Sequence, residues 1–537
     1  MRWLLTAFCA VLALPVAGVL ASWFAFDAAA LAVLQHQAST VLAGYAGQSL
    51  LLTLGVALGV TLLGIGTAAA VALFRFPGRR FFEWALLLPL AMPAYVLAYA
   101  YTDALQFSGA LQSGLRSAAG LRGALWPDVR SLGGAVILFS LCLYPYVYLL
   151  TRAALGERAV QMMEAARLLG AGLRRRVLTV ALPLARPAVM AGVALALMET
   201  LADYGVGAYF GLNTFTTGIY RAWLSMNDAT AAAQLASILL LFVALLLALE
   251  RHAQARLRFA ASRGGATHTG EALPVLLQGR AAFAATLWCA LPVVFGFVLP
   301  VGWLVVMLWR EAAANEVGLP LARFAQWAWA SFRLAGIAAF AATLLALALG
   351  FALRQRGSRL DAVLSAAARV LSLGYAVPGA VIAIGILLPV GYVQARWPGA
   401  GAAALVTGTV FGVLYAYLVR FSAVALQSVE AGYARVSMSV DETARMLGAG
   451  RSRVLARLHL PLLRRSAIAA ALLVFVDVMK ELPATLVLRP FGSDTLAVVA
   501  YNLARDERLA EAALPSLAIV AVGLIPVLLL SRAMRAR

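Results

Sequence analysis

Long runs of apolar residues dominate this chain and alternate with short polar segments. A run of about 18 or more such residues can cross the hydrocarbon core of a bilayer as a helix. The sequence contains twelve runs of this kind, six in each half of the chain. The predicted spans are 3–23, 49–74, 83–104, 133–155, 185–205, 232–250, 284–309, 331–353, 368–394, 402–426, 465–486 and 512–532. The pattern predicts an all-α polytopic membrane protein.

Composition agrees with this pattern, because 63% of the residues are hydrophobic and only 12% are charged. Such a chain lies outside the range of soluble globular domains and needs an apolar solvent. The first run follows a basic start and resembles a signal peptide, which is one interpretation of it. We prefer an uncleaved first helix, because its removal would leave unequal numbers of spans in the two halves.

The formal net charge of +20 comes from 43 Lys and Arg residues against 23 Asp and Glu residues. When the N-terminus is placed in the cytoplasm, most of the basic residues fall on the cytoplasmic side, as the positive-inside rule expects. We therefore expect both termini in the cytoplasm and the basic loops at anionic headgroups. Nucleic-acid binding is not expected, because no basic stripe is interleaved with aromatic residues.

One short segment occurs twice in the chain. The first copy reads Glu-Ala-Ala-Arg-Leu-Leu-Gly-Ala-Gly from Glu164, and the second reads Glu-Thr-Ala-Arg-Met-Leu-Gly-Ala-Gly from Glu442. In each copy a proline follows the first glycine at the same spacing, Pro183 after Gly170 and Pro461 after Gly448. A repeat at a fixed offset inside a membrane protein indicates an internal duplication.

The duplication divides the chain into two predicted repeats. The first covers residues 1–265 and the second covers residues 266–537, and a polar, glycine-rich linker at 263–270 joins them. An even number of spans separates the two copies of the short segment. Both repeats therefore run the same way across the membrane, as two parallel six-helix repeats.

The duplicated segments, at about 160–183 and 438–461, are named the first and second elbow. Each predicts a short helix whose small alanines let a partner approach closely and whose glutamate anchors a basic group of that partner. Glycines then supply a turn, and the proline begins the next membrane helix. The candidate coupling residues are Glu164, Ala165, Ala166, Gly170 and Pro183 in the first elbow and Glu442, Ala444, Gly448 and Pro461 in the second.

The elbow pattern resembles the coupling-loop motif in the permease subunits of bacterial ABC importers. The second elbow departs from that motif only at Thr443, which replaces the middle alanine. The resemblance implies a type I importer permease fold in the bacterial inner membrane. It also implies two kinds of partner: an ABC ATPase homodimer that holds ATP and Mg²⁺ and into which the elbows dock, and a periplasmic substrate-binding protein.

Three further segments, 199–205, 215–223 and 480–497, resemble the permeases of ferric-iron importers, in which both halves are fused in one chain. This resemblance covers almost the full length and implies Fe(III) as the cargo. Importers of thiamine, phosphonate or polyamines share the elbow motif and remain alternatives within the class. A proton-coupled secondary transporter is a more distant alternative, because that class has no reason to duplicate the elbow. A membrane-embedded enzyme is another, and it needs a clustered acid, base or metal set inside the bilayer, which is not apparent in the sequence.

The chain carries no recognisable site for nucleotide or catalysis. A P-loop needs Gly-Lys followed by Ser or Thr, whereas the single lysine, Lys480, follows Met479. The four histidines are scattered, and the sequence has neither a His-Glu-x-x-His nor a Cys-x-x-Cys pattern. We therefore expect a transport permease without enzymatic activity, resident cofactor or preformed metal site, and ATP hydrolysis on a separate subunit.

Four acidic residues at the ends of apolar runs are candidates for the translocation path. They form two pairs with i, i+4 spacing, and the pairs are related by the same offset as the elbows: Glu199 with Asp203, and Asp477 with Glu481. Carboxylates in such places are costly and usually face a cavity or a partner, and the spacing places each pair on one helix face. Fe(III) suits oxygen ligands, so one hypothesis is that the pairs line the path. The alternative is that they pair with Lys480 or Arg221 or dock the binding protein.

Overall fold

The computed structural model describes residues 2–25, 27–155, 160–262, 275–314, 318–355 and 360–535. Within these ranges the chain is almost entirely helical, which confirms the all-α class. Helices α1–α13 are Arg2–Ala21, Ala28–Thr40, Leu42–Leu73, Arg79–Ala85, Ala94–Leu105, Ala110–Ala119, Leu132–Ala154, Val160–Leu168, Leu173–Arg176, Leu182–Ala202, Gly205–Tyr209, Phe215–Tyr220 and Ala229–Ser262. Helices α14–α26 are Gly279–Val293, Leu299–Ala314, Leu321–Arg354, Asp361–Leu371, Gly379–Arg396, Ala402–Thr407, Phe411–Tyr433, Met438–Met446, Arg451–Val454, Leu460–Met479, Pro483–Leu488, Leu496–Arg505 and Leu509–Arg535.

Short segments of other types connect these helices. Two strands of two residues each, β1 (Phe74–Arg75) and β2 (Val275–Leu276), pair in parallel. Single 3₁₀ turns lie at Ser22–Ala25, Leu88–Ala91, Gly374–Ala376 and Pro398–Ala400. Five-residue π-helical segments lie at Val177–Ala181, Arg221–Ser225, Val294–Val298 and Leu455–His459. Two of these π segments belong to the elbows.

Ten helices in the described part of the chain are long and apolar enough to cross a membrane, and a bent pair of helices makes up to eleven. The bent pair covers the predicted span 83–104. Its two arms, Arg79–Ala91 and Ala94–Ala119, meet at an angle of 89°. Pro93 lies at the break with an extended backbone (φ −61°, ψ 142°), because a proline has no N–H to continue the helix that precedes it.

The remaining predicted span, 465–486, corresponds to α23, which ends at Met479. This helix carries three charged residues, Arg464, Arg465 and Asp477, within its 20 residues, and for this reason it is not among the ten. The chain then turns at Lys480 and begins the short helix α24 at Pro483. The predicted span is thus one helix and the start of another, rather than a single helix.

The described chain forms two compact units, each assembled from three stretches of sequence. Unit 1 comprises Met1–Gln37, Ile219–Leu240 and Pro320–Val499, and unit 2 comprises Ala38–Gly218, Leu241–Leu319 and Ala500–Arg537. In unit 2, helices α3, α7 and α10 pack against one another. In unit 1, helices α16, α20 and α23 form the corresponding group of three.

Small residues allow close helix contacts in unit 2. A β-carbon on Gly59 of α3 would lie 2.0 Å from Oγ of Ser140 in α7, so only glycine fits there. Membrane helices depend on such contacts, because lipid removes most of the hydrophobic driving force for association between helices. The contact fixes α3 against α7, the helix that precedes the first elbow.

The first span of each predicted repeat packs on helices of the other repeat. In unit 1, α1 contacts α17 and α18, and Arg2 forms an ion pair of 2.8 Å with Asp361. In unit 2, α15 contacts α5, where the indole of Trp303 donates to Oδ2 of Asp103 at 2.8 Å. The compact units therefore differ from two consecutive lengths of sequence. The predicted repeat boundary near 265 and the linker at 263–270 lie outside the described residues and stay predictions.

Candidate functional site

Each elbow begins with a nine-residue helix, α8 in the first elbow and α21 in the second. On α8, Ala165 is exposed while Glu164 and Ala166 are half-buried, and the Glu164 carboxylate lies 3.6 Å from the guanidinium of Arg167. On α21, Glu442 is exposed and Ala444 is half-buried. Every one of these candidate residues thus has a face open to a partner.

A glycine with a left-handed backbone ends each of these helices. Gly170 has φ +80°, and its N–H donates to the carbonyl of Arg167 at 2.9 Å. The N–H of Ala171 donates to the carbonyl of Ala166 at 3.0 Å, which completes a Schellman motif. The same two bonds recur at Gly448, which has φ +76°. Neither glycine has an atom within 4 Å of its β-carbon position, so backbone conformation alone requires glycine there.

The second glycine of each pair has a different role. Gly172 has φ −63° and Gly450 has φ −68°. Each glycine has an extended backbone that any residue can adopt, and each directly precedes a short helix. The sequence predicts that Gly170 and Gly172 together supply the turn. In the structure the turn depends on the first glycine of each pair alone.

The prolines of the elbows lie in the first turn of α10 and α23, as the sequence predicts, and each of these helices continues directly from a π-helical segment. A π-helical segment, Val177–Ala181, links α9 to α10 in the first elbow, and the N–H of Leu182 donates to the carbonyl of Val177. The same i→i−5 bond recurs just before Pro461, from Leu460 to Leu455. Proline has no N–H, so Pro183 leaves a gap in the hydrogen-bond ladder of the helix. The wider turn of the preceding π-helical segment accommodates this gap.

Two large apolar side chains project from the end of each elbow helix. Leu168 and Leu169 are 87% and 88% exposed, and Met446 and Leu447 are 89% and 82% exposed. We name these four residues the apolar tips. They lie outside the candidate membrane spans. Exposed apolar side chains of this kind are candidates for contact with a partner.

Sequence reasoning concentrated on the Glu-Ala-Ala positions and did not single out the apolar tips. The signal is nonetheless present in the sequence, because each copy places two large apolar residues immediately before a turn glycine. A residue at the end of a short surface helix has few neighbours to pack on. Its apolar side chain is therefore exposed in the permease chain alone.

Buried ionic contacts fix the second elbow to the end of a membrane helix. Asp441 of α21 places Oδ2 2.6 Å from Nε of Arg354 and Oδ1 2.7 Å from Nε2 of His459. Arg354, in the last turn of α16, also donates to the carbonyls of Val436 and Ser437 at 2.8 and 2.7 Å. We name Arg354, Asp441 and His459 the elbow anchor.

The elbow anchor sets the charge state of Asp441. Burial raises the pKa of this carboxyl, but the hydrogen bonds from His459 and Arg354 outweigh burial and hold the pKa below its ordinary range. The corresponding positions of the first elbow are apolar: Met163 is 7% exposed and Ala181 is fully buried. The two elbows share a turn but differ in how the membrane helices hold them.

The acidic pairs do not share helix faces as their spacing predicts. Helix α10 ends at Ala202, and Asp203 is extended with ψ 133°. Helix α23 ends at Met479, two residues before Glu481. The carboxylates of Asp203 and Glu481 instead each cap the helix that follows. In the first case, Oδ1 of Asp203 accepts the N–H of Val206 at 2.8 Å.

Glu481 is held by several donors in unit 1. It accepts the backbone N–H groups of Ala484 and Thr485 at 2.9 and 3.0 Å, and it lies 3.4 Å from Nη1 of the buried Arg420. Asp477 pairs with Lys480 at 2.9 Å, one of the partners that the alternative interpretation proposed. These contacts give Glu481 and Asp477 structural roles in unit 1, and a role of the four acidic residues in the path stays a prediction.

Within the described residues, no group of three or more His, Cys, Asp and Glu side chains is arranged to hold a metal ion. The elbows are the candidate site with the clearest geometry, because the same turn and the same pair of exposed apolar side chains recur in both copies.

A family model described as "binding-protein-dependent transport system inner membrane component" matches the chain twice, at residues 60–259 and 342–536. The chain belongs to this family. Each match contains one elbow, so the duplicated segment belongs to a duplicated permease domain. The protein is therefore a multi-pass membrane permease of an ABC importer that depends on a binding protein.

Individual relatives of this permease are named for the transport of different solutes. The Fe(3+)-transport system permease protein of Haemophilus influenzae is 25% identical over 495 residues, which cover 90% of this chain and 88% of the relative. A protein of Salmonella typhimurium named for 2-aminoethylphosphonate transport is 32% identical over 197 residues, or 36% of this chain and 70% of the relative. The molybdenum transport system permease protein of Escherichia coli is 29% identical over 180 residues, or 32% of this chain and 76% of the relative.

These comparisons confirm the membrane permease class and its resemblance to ferric-iron permeases. The relatives are transport proteins, in agreement with the expectation of a permease rather than an enzyme. The roles of the elbow residues and of the acidic residues are not tested by these comparisons and stay predictions.

Proposed function

We propose that this permease imports ferric iron across the inner membrane of a bacterium. A periplasmic binding protein delivers Fe(III), and an ABC ATPase homodimer, which holds ATP and Mg²⁺, drives the cycle by gripping both elbows. No cofactor resides in the permease itself. The observation that carries the coupling part of this proposal is the duplicated elbow, with the same turn and the same pair of exposed apolar side chains in each copy.

The length of the match supports iron as the cargo. The ferric relative aligns with 90% of this chain, so it shares the fused arrangement of two permease domains. The phosphonate and molybdenum relatives align with only about a third of it. The carboxylates Glu199 and Asp203 also suit a hard trivalent cation better than an oxyanion.

The basic residues of the elbows support a cytoplasmic placement. Three arginines, Arg174, Arg175 and Arg176, follow the turn of the first elbow, and Arg451, Arg453 and Arg457 follow that of the second. By the positive-inside rule such clusters lie on the cytoplasmic side, where ATP is available to the partner subunits. The N- and C-termini lie on the same side in this orientation.

Nucleotide acts on the permease through population shift. ATP can drive a change of conformation only if the nucleotide-bound ATPase dimer binds one arrangement of the elbows better than the other. The rigid turn at each elbow transmits this preference to α10 and α23, because each elbow continues into one of these helices without a break. The resulting rearrangement alternates access from the binding protein to the cytoplasm.

Uptake of radiolabelled iron tests the cargo directly. Cells of the source strain that carry this permease should accumulate iron faster than the same cells with the gene deleted, and the gene on a plasmid should restore uptake. Molybdate and 2-aminoethylphosphonate uptake are measured in parallel. Iron uptake that is independent of the gene, with gene-dependent uptake of either oxyanion, would replace iron by that oxyanion as the cargo.

A further inference from the structure

Helix α6 of unit 2 lies in the connection between two membrane spans. The preceding helix, α5, ends at Leu105, where the apolar run of the predicted span 83–104 also ends. The next candidate span, α7, begins at Leu132 and leads to the first elbow. Because α6 and the elbow lie at opposite ends of α7, a single crossing by α7 places α6 on the side of the membrane away from the elbows.

Helix α6 exposes a row of large apolar side chains. Phe107, just before the helix, and Leu111 and Leu115 within it are 57%, 41% and 50% exposed. The i, i+4 spacing places the two leucines on one face. Ser113 and Ser117 are exposed as well, and each follows a leucine by two residues, which is about 200° of rotation around the helix. The exposed surface of α6 thus has an apolar side and a polar side.

Polar contacts hold another side of α6 against the end of α5. Gln112, which is buried, donates through Nε2 to the carbonyl of Leu105 at 2.9 Å. Its Oε1 accepts the N–H of Leu125 at 3.2 Å. The indole of Trp126 donates to the same carbonyl of Leu105 at 2.8 Å. The middle of α6 is therefore joined directly to the last residue of α5.

A tight turn at Gly109 also keeps α6 close to α5. A β-carbon on Gly109 would lie 2.8 Å from the carbonyl oxygen of Asp103 and 2.9 Å from that of Gln106, so the turn leaves no room for a side chain. The turn and the hydrogen bonds to Leu105 place the axis of α6 within about 10 Å, one helix diameter, of the end of α5. A span that ends at Leu105 thus places α6 near the level of the lipid headgroups.

The charge of this connection suits a lipid surface. Between Asp103 and Asp128 the sequence contains two arginines, Arg116 and Arg122, and no acidic residue. The guanidinium carbon of Arg116 lies 3.9 Å from the centre of the Phe107 ring, and Nη2 donates to the Phe107 carbonyl at 2.8 Å. Basic groups beside an apolar row are typical of helices that lie in the surface of a membrane with anionic lipids.

We propose that α6 is a membrane-surface anchor, which lies among the lipid headgroups on the side away from the elbows and inserts Phe107, Leu111 and Leu115 toward the acyl chains. Lipid is the partner that fits, because hydrogen bonds tie the middle of α6 to the residue at which the span ends. Trp126, which forms one of these bonds, is of a type enriched at membrane interfaces. The anchor holds the end of α5, within the arm that follows the 89° bend, at a fixed depth. This inference does not depend on which solute the permease imports.

Spin labels measure whether the apolar side of α6 meets lipid. Leu115→Cys and Ser117→Cys are labelled separately in the full-length permease, in nanodiscs of phosphatidylcholine and phosphatidylglycerol that hold one permease each. Oxygen reaches a label mainly from lipid, and a water-soluble nickel chelate reaches it from the solvent. We expect the ratio of oxygen to nickel collisions to be several-fold higher at residue 115 than at residue 117. Equal ratios would overturn the proposal.

The wild type treated with the same label is the control for the native cysteines. Cys9, Cys142 and Cys289 are all buried, so the wild type should take up little label. Any signal that it does give is subtracted before the two ratios are compared.

Two other occupants of the apolar row would give different results. A docking surface for the periplasmic binding protein would leave the label of Leu115→Cys in water until that protein is added, and the label would then become immobile. A contact between two copies of the permease would leave the label in water in a nanodisc with a single copy. Either result contradicts a lipid anchor, whereas lipid contact in single-copy nanodiscs without the binding protein supports it.

Hydrogen exchange tests the anchor without a label. Leu111→Gln/Leu115→Gln removes the apolar row of the helix, so exchange across residues 110–119 should become several-fold faster in nanodiscs. The matched control is Ser113→Gln/Ser117→Gln, which introduces the same side chains on the other face and should leave exchange unchanged. All four positions are exposed, so exchange in α7 should stay at the wild-type level in both variants. Equal acceleration by the two variants would contradict the anchor.

Discussion

Oδ1 of Asp441 lies 2.7 Å from Nε2 of His459, and this contact ties the start of the second elbow to its end. Arg354 holds the other carboxylate oxygen at 2.6 Å. The first elbow has Met163 and Ala181 where the second has Asp441 and His459. Force from a partner would thus pass into the membrane helices through a charged contact on one side and through apolar packing on the other.

The elbow anchor makes the second elbow sensitive to loss of a single charge. Asp441→Asn leaves the guanidinium of Arg354, which is 8% exposed, without its counter-charge. Removing one member of a buried pair costs about 3–5 kcal/mol, so local hydrogen exchange across residues 438–461 should speed up strongly. Met163→Leu, at the matching position of the first elbow, changes a buried side chain without removing a charge pair and is the control.

A combined variant separates charge from packing in the elbow anchor. Arg354→Met/Asp441→Met/His459→Ala removes all three polar groups together and makes the second elbow resemble the first. Such replacement of a buried ionic group by apolar residues is often nearly neutral. Protection against hydrogen exchange should return toward the wild-type level. Protection as low as in Asp441→Asn would show that the anchor acts through more than its buried charges.

Acid should loosen the second elbow before the first. The pKa of Asp441 is lowered in the folded protein, so its contribution to stability is complete above the pKa of the unfolded chain and is lost as the pH falls through the lower folded value. The window therefore lies below about pH 4. Hydrogen exchange of residues 438–461, measured at low pH against residues 162–183, should show the difference. Asp441→Asn should remove this acid dependence.

The glycines of the elbows allow a matched test of backbone conformation. Gly448→Ala places a β-carbon on a residue with φ +76°, which costs roughly 1–2 kcal/mol. Gly450→Ala, two residues later, places it on a residue with φ −68° and with no atom within 4 Å. The first variant should lower ATPase-coupled transport and local protection, and the second should leave both unchanged. Equal effects would contradict the role of the left-handed turn.

The elbows and the transmembrane class could be predicted from sequence because both depend on local patterns. Helix length follows from apolar runs, and the turn follows from glycine at a fixed offset. The elbow anchor could not be predicted, because Arg354 precedes Asp441 by 87 residues and nothing local marks them as partners. The end of α10 at Ala202 was also missed, since the apolar run continues past it while Asp203 caps the next helix.

The first span of each predicted repeat packs on helices of the other repeat, and this arrangement likewise could not be predicted from the sequence. The apolar pattern of α1 shows that it needs an apolar surface but not which surface it meets. In the structure the choice depends on close contacts over long separations in sequence. Gly385 of α18 is one such contact, because a β-carbon there would lie 2.0 Å from the carbonyl oxygen of Pro15.

The apolar tips should carry much of the affinity for the ATPase. Leu168→Asp/Leu447→Asp changes two side chains that are 87% and 82% exposed, so folding and membrane insertion should not change. Copurification of the ATPase should fall on the order of tenfold or more, because buried apolar anchors dominate interfaces. Leu121→Asp, at a half-exposed leucine outside the elbows, is the control.

Charge reversal of the elbow glutamates tests the same interface by a different route. Glu164→Arg together with Glu442→Arg should also leave insertion intact and weaken association with the ATPase, because the glutamates are open to a basic group of the partner. Copurification that is unchanged in both double variants would contradict the assignment of the elbows as ATPase-docking elements.

Loss of Glu481 should destabilise the protein more than loss of Asp477, because the ion pair of Glu481 with Arg420 is more deeply buried than that of Asp477 with Lys480. Their side chains are 9% and 1% exposed, whereas those of Lys480 and Asp477 are 31% and 17% exposed. Glu481→Gln removes the carboxylate that pairs with the buried Arg420 and should lower the free energy of unfolding by about 3–5 kcal/mol. Asp477→Asn should lower it by no more than about 1 kcal/mol. Unfolding in detergent micelles measures both.

Restoring charge balance should rescue part of the loss in Glu481→Gln. The double variant Arg420→Met/Glu481→Gln removes both charges of the pair, so it should be more stable than Glu481→Gln alone. The rescue should be partial, because the amide of Gln offers only one oxygen to the N–H groups of Ala484 and Thr485. The coupling energy from the double-mutant cycle measures the pair directly. A coupling energy of zero would mean that Glu481 stabilises the protein only as the cap of α24 and that its contact with Arg420 contributes nothing.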